Sequence, residues 1–342
     1  MSYLDLAGRP GSNQKKKKLP ERDAIVRKLL WIAGLGILPS INLTAQVTWQ
    51  KLDSSFGSLP ESIHVYSTHD SLDGAPFLAY YASIKLRDKS INFSVLSGDG
   101  ARFTASQFYY QQSRAPALLV NGPYFSYQTG QSLSLVIQNG KMIALPVAKL
   151  KGRDIDSGLY YYPTRAALGI NRNRKADIAW VFADPQRARP YAFSNGPVIA
   201  KGKEDMPTIY DLGDINWVWW EMRTAIGGGP MLIYDGKIRI TSGEEQMYPG
   251  TENEKAPRTA MGYTADNRLI ILVIQGRSLE QSDGATLLQT ANLLKNLGCL
   301  RALNFDGGGS SCMLVNGKET IHPSDKGGQR PLPYVFVVKA AE

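Results

Sequence analysis

Residues 286–311, TLLQTANLLKNLGCLRALNFDGGGSS, decide the fold because they join a helix, a strand and a glycine-rich loop without interruption. Apolar side chains at positions 287, 288, 291, 294 and 297 recur at helical spacing. Thr286 and Gln289 form a capping box at the start of this segment, and Gly298 is typical of a helix end. The spacing therefore predicts a helix over 286–297.

The strand predicted over 302–305 delivers Asn304 and Asp306 to its carboxyl end, where ligands of α/β sheets tend to collect. The loop Asp306-Gly307-Gly308-Gly309-Ser310-Ser311 follows. Consecutive glycines let backbone N–H groups turn toward an anion, and the two serines add hydroxyl donors. The loop has neither the Gly-Lys-Ser/Thr of a Walker A motif nor the G-x-S-x-G of a hydrolase elbow. A plain glycine-rich turn capped by Asp306 is the alternative.

Short apolar runs joined by tight turns fill most of the remaining chain. Asn139-Gly140, Asp235-Gly236, Asp266-Asn267 and Asn316-Gly317 each separate two such runs. These residue types adopt the positive φ that two-residue hairpin turns require. The sequence therefore predicts an α+β class: a strand-rich mixed sheet with many hairpins and a few packed helices, in a single domain.

The composition limits the classes of function. The chain has 342 residues, 43% hydrophobic, with a formal net charge of +9. Residues 1–45 contain eight Lys and Arg against three Asp and Glu, so about half of the excess charge lies in the leader. No basic helix or zinc knuckle is present, which makes nucleic-acid binding the poorest interpretation. Cys299 and Cys312 are either a disulfide pair or two buried thiols, and three histidines cannot form a His-rich zinc centre.

Residues 1–45 have the pattern of a secretory signal. Lys15 to Lys18 and the pair Arg27-Lys28 precede an apolar run from Leu29 to Leu38. Ten apolar residues are too few to span a bilayer, which needs roughly 20. We expect cleavage near Ala45 and an exported protein, periplasmic or extracellular. The alternative is an uncleaved anchor, which would be the sole contact with a membrane.

Two arginines are predicted to meet at one end of a hairpin. Arg258 begins one apolar run, and Arg277 follows the run that pairs with it. The guanidinium fork of arginine suits phosphate oxygens, although two solvated surface arginines are the alternative. Asn121 follows another apolar run, so its amide either binds a substrate hydroxyl or caps a turn. The adjacent acids Glu244 and Glu245 are expected to be solvated.

In this order, the motifs resemble the phosphodiester glycosidase family. The matching segments are 121–125, 228–230, 235–237, 257–262, 276–277, 284–287, 302–311 and 329–331. They span about 115 to 340. With this resemblance the chain divides into a leader over 1–45, an N-terminal strand-rich part of the domain over 46–114 and a phosphodiester glycosidase-like catalytic region over 115–342.

The resemblance implies hydrolysis of a sugar-1-phosphodiester, of the N-acetylglucosamine-1-phosphate type, at the anomeric carbon. A phosphate ester leaves readily as an anion, so the strong general acid of ordinary glycosidases is dispensable. Arginines and the glycine loop would hold the phosphate, and Asp306 would activate water or stabilise oxocarbenium charge. The catalytic candidates are Asp306, Arg258, Arg277 and Asn121, and the substrate-binding candidates are Thr259, Asn304, Gly307, Gly308, Gly309, Ser310, Ser311 and Arg330.

Three positions depart from the family pattern. Gln275 stands where the family commonly has Asp, Ser126 where an acid is frequent, and Pro123 where the family has a second glycine. The two missing carboxylates favour an alternative function, a non-catalytic envelope module that binds anionic glycans. A further alternative is a phosphodiesterase that cuts the P–O bond, which usually requires metal. The default is that no cofactor is needed, with a divalent cation such as calcium left open at the oxygen-rich Asp306 loop. The expected partner is a glycan or sugar-phosphate small molecule.

Overall fold

Short strands dominate the regular structure. The computed structural model describes residues 47–341 apart from 148, 153, 185, 186, 188, 203–215, 249 and 279, so the predicted leader over 1–45 lies outside the described residues. The strands are β1 Gln50–Lys51, β2 Ile63–Thr68, β3 Ser71–Leu72, β4 Ala75–Pro76, β5 Ala79–Lys85, β6 Ile91–Ser97, β7 Leu118–Asn121, β8 Val136–Gln138, β9 Lys141–Ala144, β10 Leu150–Lys151, β11 Tyr160–Pro163, β12 Arg165–Ile170, β13 Ala176–Asp184, β14 Arg189–Phe193, β15 Ile199–Gly202, β16 Trp217–Trp219, β17 Thr224–Gly227, β18 Met231–Tyr234, β19 Lys237–Ile238, β20 Arg258–Thr264, β21 Arg268–Ile274, β22 Cys299–Asn304, β23 Met313–Val315, β24 Lys318–Glu319 and β25 Tyr334–Ala340. The α-helices are α1 Ala105–Tyr110 and α2 Leu287–Asn296.

Three larger sheets carry most of these strands. Their strand orders are β1-β2-β5-β21-β20-β22-β18-β19, then β16-β14-β13-β12-β17-β8-β9, then β24-β23-β7-β25-β6. The strand-rich α+β class is confirmed. Among the described residues, however, the strand pairings are antiparallel, where the sequence analysis expected a mixed sheet. Two-residue turns join adjacent strands only in antiparallel fashion, which explains the direction of the hairpin pairs.

The predicted hairpins form at their turn dipeptides. Asn139, Asp235, Asn267 and Asn316 all adopt positive φ between paired strands. These residue types tolerate the left-handed region better than most others. The turn dipeptides in the sequence therefore predict these strand connections correctly.

The main hydrophobic core lies between the three sheets. Alternation along β21 shows how the eight-stranded sheet serves two cores: Leu269, Ile271 and Val273 face the main core, whereas the residues between them pack toward α2. Such a strand is buried on both faces, which accounts for its continuous apolar sequence. A third cluster packs α1 against the sheet that contains β7.

Helix α2 begins and ends close to the predicted positions. Thr286 accepts a hydrogen bond from Gln289 N, and the Gln289 side chain accepts one from Thr286 N, completing the capping box. Gly298 follows the helix with a φ of 82°. In the described part of the chain, neither helix has the length and apolar character needed to cross a bilayer. The two cysteines, left open above, are free and buried.

The glycine-rich loop connects two sheets. Strand β22 ends at Asn304, beside the start of β20, in the eight-stranded sheet. After the loop, β23 begins at Met313 and pairs with β7 in the five-stranded sheet. Because β7 ends at Asn121, the ends of β7, β20 and β22 meet around this loop.

Candidate active site

A cavity of about 260 Å³ lies where β20 and β22 meet the glycine-rich loop. We call it the arginine cavity. Its lining residues are Tyr124, Pro230, Met247, Tyr248, Thr251, Glu254, Ala256, Arg258, Arg277, Leu287, Asn304, Gly307, Gly308, Gly309 and Arg330. Among the described residues, three arginines and a single carboxylate contribute to this lining, which is therefore strongly cationic, as an anionic ligand requires. The predicted convergence of Arg258 and Arg277 at one end of the sheet is confirmed.

Arg258 is a buried arginine, with 7% of its surface exposed. Its Nε donates to Ala285 O at 2.9 Å, and its Nη2 donates to Thr251 O at 3.0 Å and to Glu254 O at 2.6 Å. Burial lowers the pKa of this guanidinium, which remains charged because arginine starts from so high a value. Three carbonyls thus fix the side chain, and Nη1 has no acceptor within the described residues.

The other two arginines are held by carboxylates. Arg277 Nη2 lies 2.9 Å from Glu254 Oε1, and both side chains are about half-exposed. Arg330 forms a bidentate pair with Asp325, at 2.8 Å from Nε and 2.9 Å from Nη2. Arg330 Nη1 also donates to Ser310 Oγ at 3.1 Å. Arg330 is therefore in direct contact with the loop that follows Asp306.

Asp306 is partly buried next to this cluster, although its side chain is not among those that line the cavity. Burial raises the pKa of its carboxyl to about 6, against the opposing influence of the Ser310 hydroxyl, the Arg330 charge and the Gly307 N–H. Burial disfavours the charged carboxylate, whereas donors and cations favour it. Asp306 thus titrates close to neutral pH, as a general base should.

Asn121 and Thr259 lie behind the cavity and do not line it. Asn121 is completely buried; its Nδ2 donates to Asp306 O at 2.8 Å. Its Oδ1 accepts hydrogen bonds from Thr259 Oγ1 at 2.7 Å and from Cys312 N at 3.2 Å. The amide of Asn121 therefore fixes the backbone of Asp306 from the neighbouring sheet. These contacts occupy the amide of Asn121, which the sequence analysis left open to bind a substrate hydroxyl or to cap a turn.

Asn304 does line the cavity, together with Tyr124. Asn304 Nδ2 donates to Tyr124 OH at 2.9 Å and to Phe305 O at 2.7 Å. The Tyr124 hydroxyl in turn donates to Gly229 O at 3.0 Å. Burial, reinforced by the Asp306 charge, raises the pKa of Tyr124, so it stays neutral. Asn304 Oδ1 is buried without a hydrogen-bond partner in the described part of the chain.

The glycine loop offers fewer free donors than its sequence suggests. Gly308 N donates to Pro257 O at 2.9 Å, and Gly307 N–H interacts with the Asp306 carboxyl. Among the described residues, only the Gly309 N–H of these three has no protein acceptor. The expectation that all three amides would face a phosphate is therefore wrong, because Pro257 O accepts from the Gly308 N–H and the Asp306 carboxyl interacts with the Gly307 N–H. Ser310 and Ser311 are buried and do not line the cavity.

Glycine is required at two positions of this loop for different reasons. Gly308 has a φ of 57°, in the left-handed region. A Cβ at Gly309 would collide with the Asp325 carboxylate and the Arg330 guanidinium. The absence of side chains thus lets Arg330 approach the loop closely.

Glu245 corrects another expectation. It is fully buried, and its carboxylate accepts hydrogen bonds from Ala166 N, Trp180 Nε1, Met231 N and Thr241 Oγ1. Burial raises the pKa of this carboxyl. The prediction of a solvated side chain is wrong for Glu245, because hydrogen-bond donors from distant parts of the sequence converge on its carboxylate. Glu244 is exposed, as expected.

Gln275, which stands where the family commonly has aspartate, makes its hydrogen bonds away from the arginine cavity. Gln275 Oε1 accepts from His322 N at 2.9 Å, and Nε2 donates to Gln281 Oε1 at 3.1 Å. Neither Gln275 nor Ser126 lines the arginine cavity. Their departure from the family pattern therefore removes no side chain from its lining. Sequence reasoning missed Tyr248, Thr251 and Glu254, which lie in a loop without a recognisable motif.

Fold and cavity together define a strand-rich domain with a cationic cavity beside a carboxyl group whose pKa is raised to about 6. The model of the phosphodiester glycosidase family matches residues 115–339. The chain belongs to the phosphodiester glycosidase family, as its motifs predicted.

Characterised relatives agree with this assignment. Over 255 residues the chain is 33% identical to N-acetylglucosamine-1-phosphodiester alpha-N-acetylglucosaminidase from Mus musculus, covering 70% of this chain and 41% of that protein. The human protein of the same name is 29% identical over 97 residues, 27% of this chain and 18% of the human one. The chain spans less than half the length of the curated relatives it matches.

Solved structures share the fold. The catalytic domain of the zebrafish N-acetylglucosamine-1-phosphodiester alpha-N-acetylglucosaminidase superposes with a TM-score of 0.55 at 20% identity, covering 86% of this chain and 89% of that one. A hypothetical protein from Synechocystis gives a TM-score of 0.56 at 14% identity, with 86% and 68% covered. At such identities these likenesses support the architecture alone.

Proposed function

We propose that this protein hydrolyses a sugar-1-phosphodiester at the anomeric carbon, releasing the free sugar and a phosphate monoester. One observation carries the proposal: Arg258, Arg277 and Arg330 line a single cavity together with Gly307 to Gly309. Guanidinium groups hold phosphate oxygens with two hydrogen bonds each, and arginine stays charged at all relevant pH values. The names of the curated relatives, N-acetylglucosamine-1-phosphodiester alpha-N-acetylglucosaminidases, support N-acetylglucosamine as the sugar.

The phosphodiester is proposed to bind with its oxygens toward Arg258 Nη1, Arg277 and the Gly309 N–H. As the C1–O bond breaks, its electron pair moves to the phosphate oxygen, and positive charge develops on the sugar ring. The arginines stabilise the phosphate that leaves, so no strong general acid is needed. This requirement fits the lining of the cavity, whose single carboxylate, Glu254, is paired with Arg277.

Asp306 is proposed to take a proton from the water that attacks the anomeric carbon. Its raised pKa of about 6 makes it a base at neutral pH that can also release the proton to solvent. Asn121 and Thr259 act on this step as positioning residues, because Asn121 Nδ2 holds the Asp306 carbonyl. Asn304 and Tyr124 offer polar atoms to a sugar hydroxyl at the cavity wall.

The test is to incubate the protein with N-acetylglucosamine 1-(methyl phosphate) in oxygen-18 water and to analyse both products. Cleavage at carbon puts the label in the sugar, whereas a phosphodiesterase would put it in phosphate. Asp306→Asn should lower kcat at least about 1,000-fold, the loss expected for a catalytic base. Asp99→Asn is the matched control, since it makes the same substitution at an exposed carboxylate that does not line the arginine cavity.

Tight binding of the diester without turnover would instead indicate an anionic-glycan binding module. A second proposal concerns localisation: the leader pattern over 1–45 favours export. N-terminal sequencing of the protein recovered from each cell fraction tests this, and intact protein that begins at Met1 in the cytoplasm would contradict it.

A further inference from the structure

A second cavity adjoins the arginine cavity. Its volume is about 510 Å³, and it shares Met247 and Tyr248 with the arginine cavity. Tyr248 is 63% exposed and therefore forms an accessible ridge between the two. We call this second space the neighbouring cavity. A ligand that fills both would pass over Met247 and Tyr248.

The neighbouring cavity contains a well-anchored arginine. Arg165 Nε donates to Glu245 O at 3.2 Å, and Nη2 donates to Gln246 O at 2.8 Å. The Glu245 carboxylate, the nearest opposite charge, already accepts four hydrogen bonds from other residues. Arg165 Nη1 has no acceptor among the described residues. Arg165 is held in the same way as Arg258, because backbone carbonyls accept from both guanidinium groups and Nη1 of each is left available.

Lys151 adds a second positive charge to the lining, and none of the described residues that line the neighbouring cavity is a carboxylate. Its walls are otherwise largely apolar or aromatic, with Leu133, Leu150 and Tyr161 among them. Tyr161 donates its hydroxyl hydrogen bond to Asp156, which fixes the ring. Such a surface suits a ligand with a flat apolar body and a negative charge.

A third cavity adjoins the arginine cavity at Arg330. Its volume is about 330 Å³, and Arg102, Tyr127, Asp325 and Gln329 also line it. It differs from the neighbouring cavity in the carboxylate of its lining. Carboxylate and amide groups can both accept hydrogen bonds from hydroxyls, and an aromatic ring can contact the apolar face of a sugar. This third cavity therefore suits the sugar, and the neighbouring cavity suits the alcohol half of the diester.

We propose that the neighbouring cavity binds the alcohol half of the diester, and that the preferred alcohol carries an aromatic group with a second negative charge. The inference rests on the proposed function, since it assigns the second half of the same substrate. Arg165 and Lys151 bind the second charge, and Tyr161 and Tyr248 contact the ring.

Three diesters of N-acetylglucosamine 1-phosphate test the inference: the methyl, the 4-methylbenzyl and the 4-carboxybenzyl ester. The carboxylate is remote from the bond that breaks, so differences in kcat/KM report binding at the alcohol side. We expect kcat/KM for the 4-carboxybenzyl ester to exceed kcat/KM for the methyl ester by about 10-fold or more, which is the gain that one hydrogen bond to a charged group allows. The 4-methylbenzyl ester should lie between them.

Substitutions in the neighbouring cavity test whether this cavity causes the preference for the 4-carboxybenzyl ester. Arg165→Met should lower the carboxybenzyl-to-methyl ratio of kcat/KM about 10-fold, and Lys151→Met about 3-fold because it is exposed. Lys141→Met, an exposed lysine that lines neither cavity, should leave the ratio unchanged. Since Arg165 also anchors a loop, Lys151→Met provides a readout that does not depend on that anchor.

The outcomes are distinguishable. If the wild-type protein hydrolyses none of the three esters, the proposed function fails, and this inference with it. If it hydrolyses the methyl ester but shows equal kcat/KM for all three, only the assignment of the neighbouring cavity is overturned. A preference that survives both Arg165→Met and Lys151→Met also overturns it.

Discussion

The wall and the rim of the arginine cavity place the same type of residue in different surroundings. Arg258, in the wall, is 7% exposed and is held by three backbone carbonyls. Arg277, at the rim, is about half-exposed and is held by the side chain of Glu254. The fold fixes the wall arginine, whereas the rim arginine can exchange its carboxylate partner for a phosphate. Under the proposed function, the wall therefore determines where the phosphate of the substrate binds, and the rim determines how readily it enters.

Glu254 connects the two regions. Its backbone carbonyl accepts from Arg258 Nη2, and its carboxylate pairs with Arg277 Nη2. A substitution of its side chain consequently changes the rim and leaves the hydrogen bond to the wall in place. The wall and the rim of the arginine cavity can therefore be tested by separate substitutions.

The largest expected effect comes from the wall. Arg258→Met leaves three carbonyl oxygens without their donor, which should lower the free energy of unfolding by about 4 kcal/mol. Its kcat/KM should fall at least about 100-fold. Arg277→Met, the matched control at the rim, should change stability by less than about 0.5 kcal/mol and lower kcat/KM about 10-fold. Urea unfolding and steady-state kinetics measure both quantities.

Equal losses of stability in the two variants would remove the distinction between wall and rim. The kinetic comparison should use conditions in which both variants are folded, because an unfolded fraction would mimic a loss of kcat.

The second prediction concerns Asp306, whose pKa is raised to about 6 from an ordinary value of 3.8. The folded state binds this proton more tightly than the unfolded state, so its contribution to stability is present below pH 4 and is lost as pH rises through 6. Asp306→Asn should therefore raise the free energy of unfolding at pH 7 by about 2 kcal/mol. The same variant should abolish turnover.

Wild-type kcat/KM should rise with pH and level off above an apparent pKa near 6, because the ionised carboxylate is the base. Measurements of unfolding and kinetics between pH 4 and 8 check both trends. If Asp306→Asn has a lower free energy of unfolding than wild type at pH 7, the ionised carboxylate of Asp306 stabilises the fold, and the prediction that it destabilises the fold is wrong.

Local sequence patterns were sufficient for the parts of the site that neighbours in the chain determine. The capping box at Thr286 and the turns at Asn267 and Asn316 involve residues close in sequence. The hairpin between β20 and β21 then brings Arg258 and Arg277 to one end of the sheet. Family motifs added Asp306 and its glycines.

Contacts between distant segments could not be predicted in this way. Glu245 is buried because Ala166, Trp180 and Met231, from three different strands, donate to it. Asn121 resembles a ligand-binding amide at a strand end, but Thr259 and Cys312 from other segments occupy its oxygen. Hydrogen bonds between the loop and other segments, such as Gly308 N to Pro257 O, are equally invisible in the order of residues.

The smallest expected effect sharpens the comparison most, because it separates the two functions of Glu254. Glu254→Gln removes the carboxylate that competes with phosphate for Arg277 and keeps the carbonyl that holds Arg258. We expect KM for the methyl phosphodiester to fall about 2-fold to 3-fold at low ionic strength, with kcat and stability nearly unchanged. At high ionic strength the difference should disappear, since salt screens exposed charges. A rise in KM would instead mean that Glu254 orients Arg277 for the phosphate, and the rim would then be as preorganised as the wall.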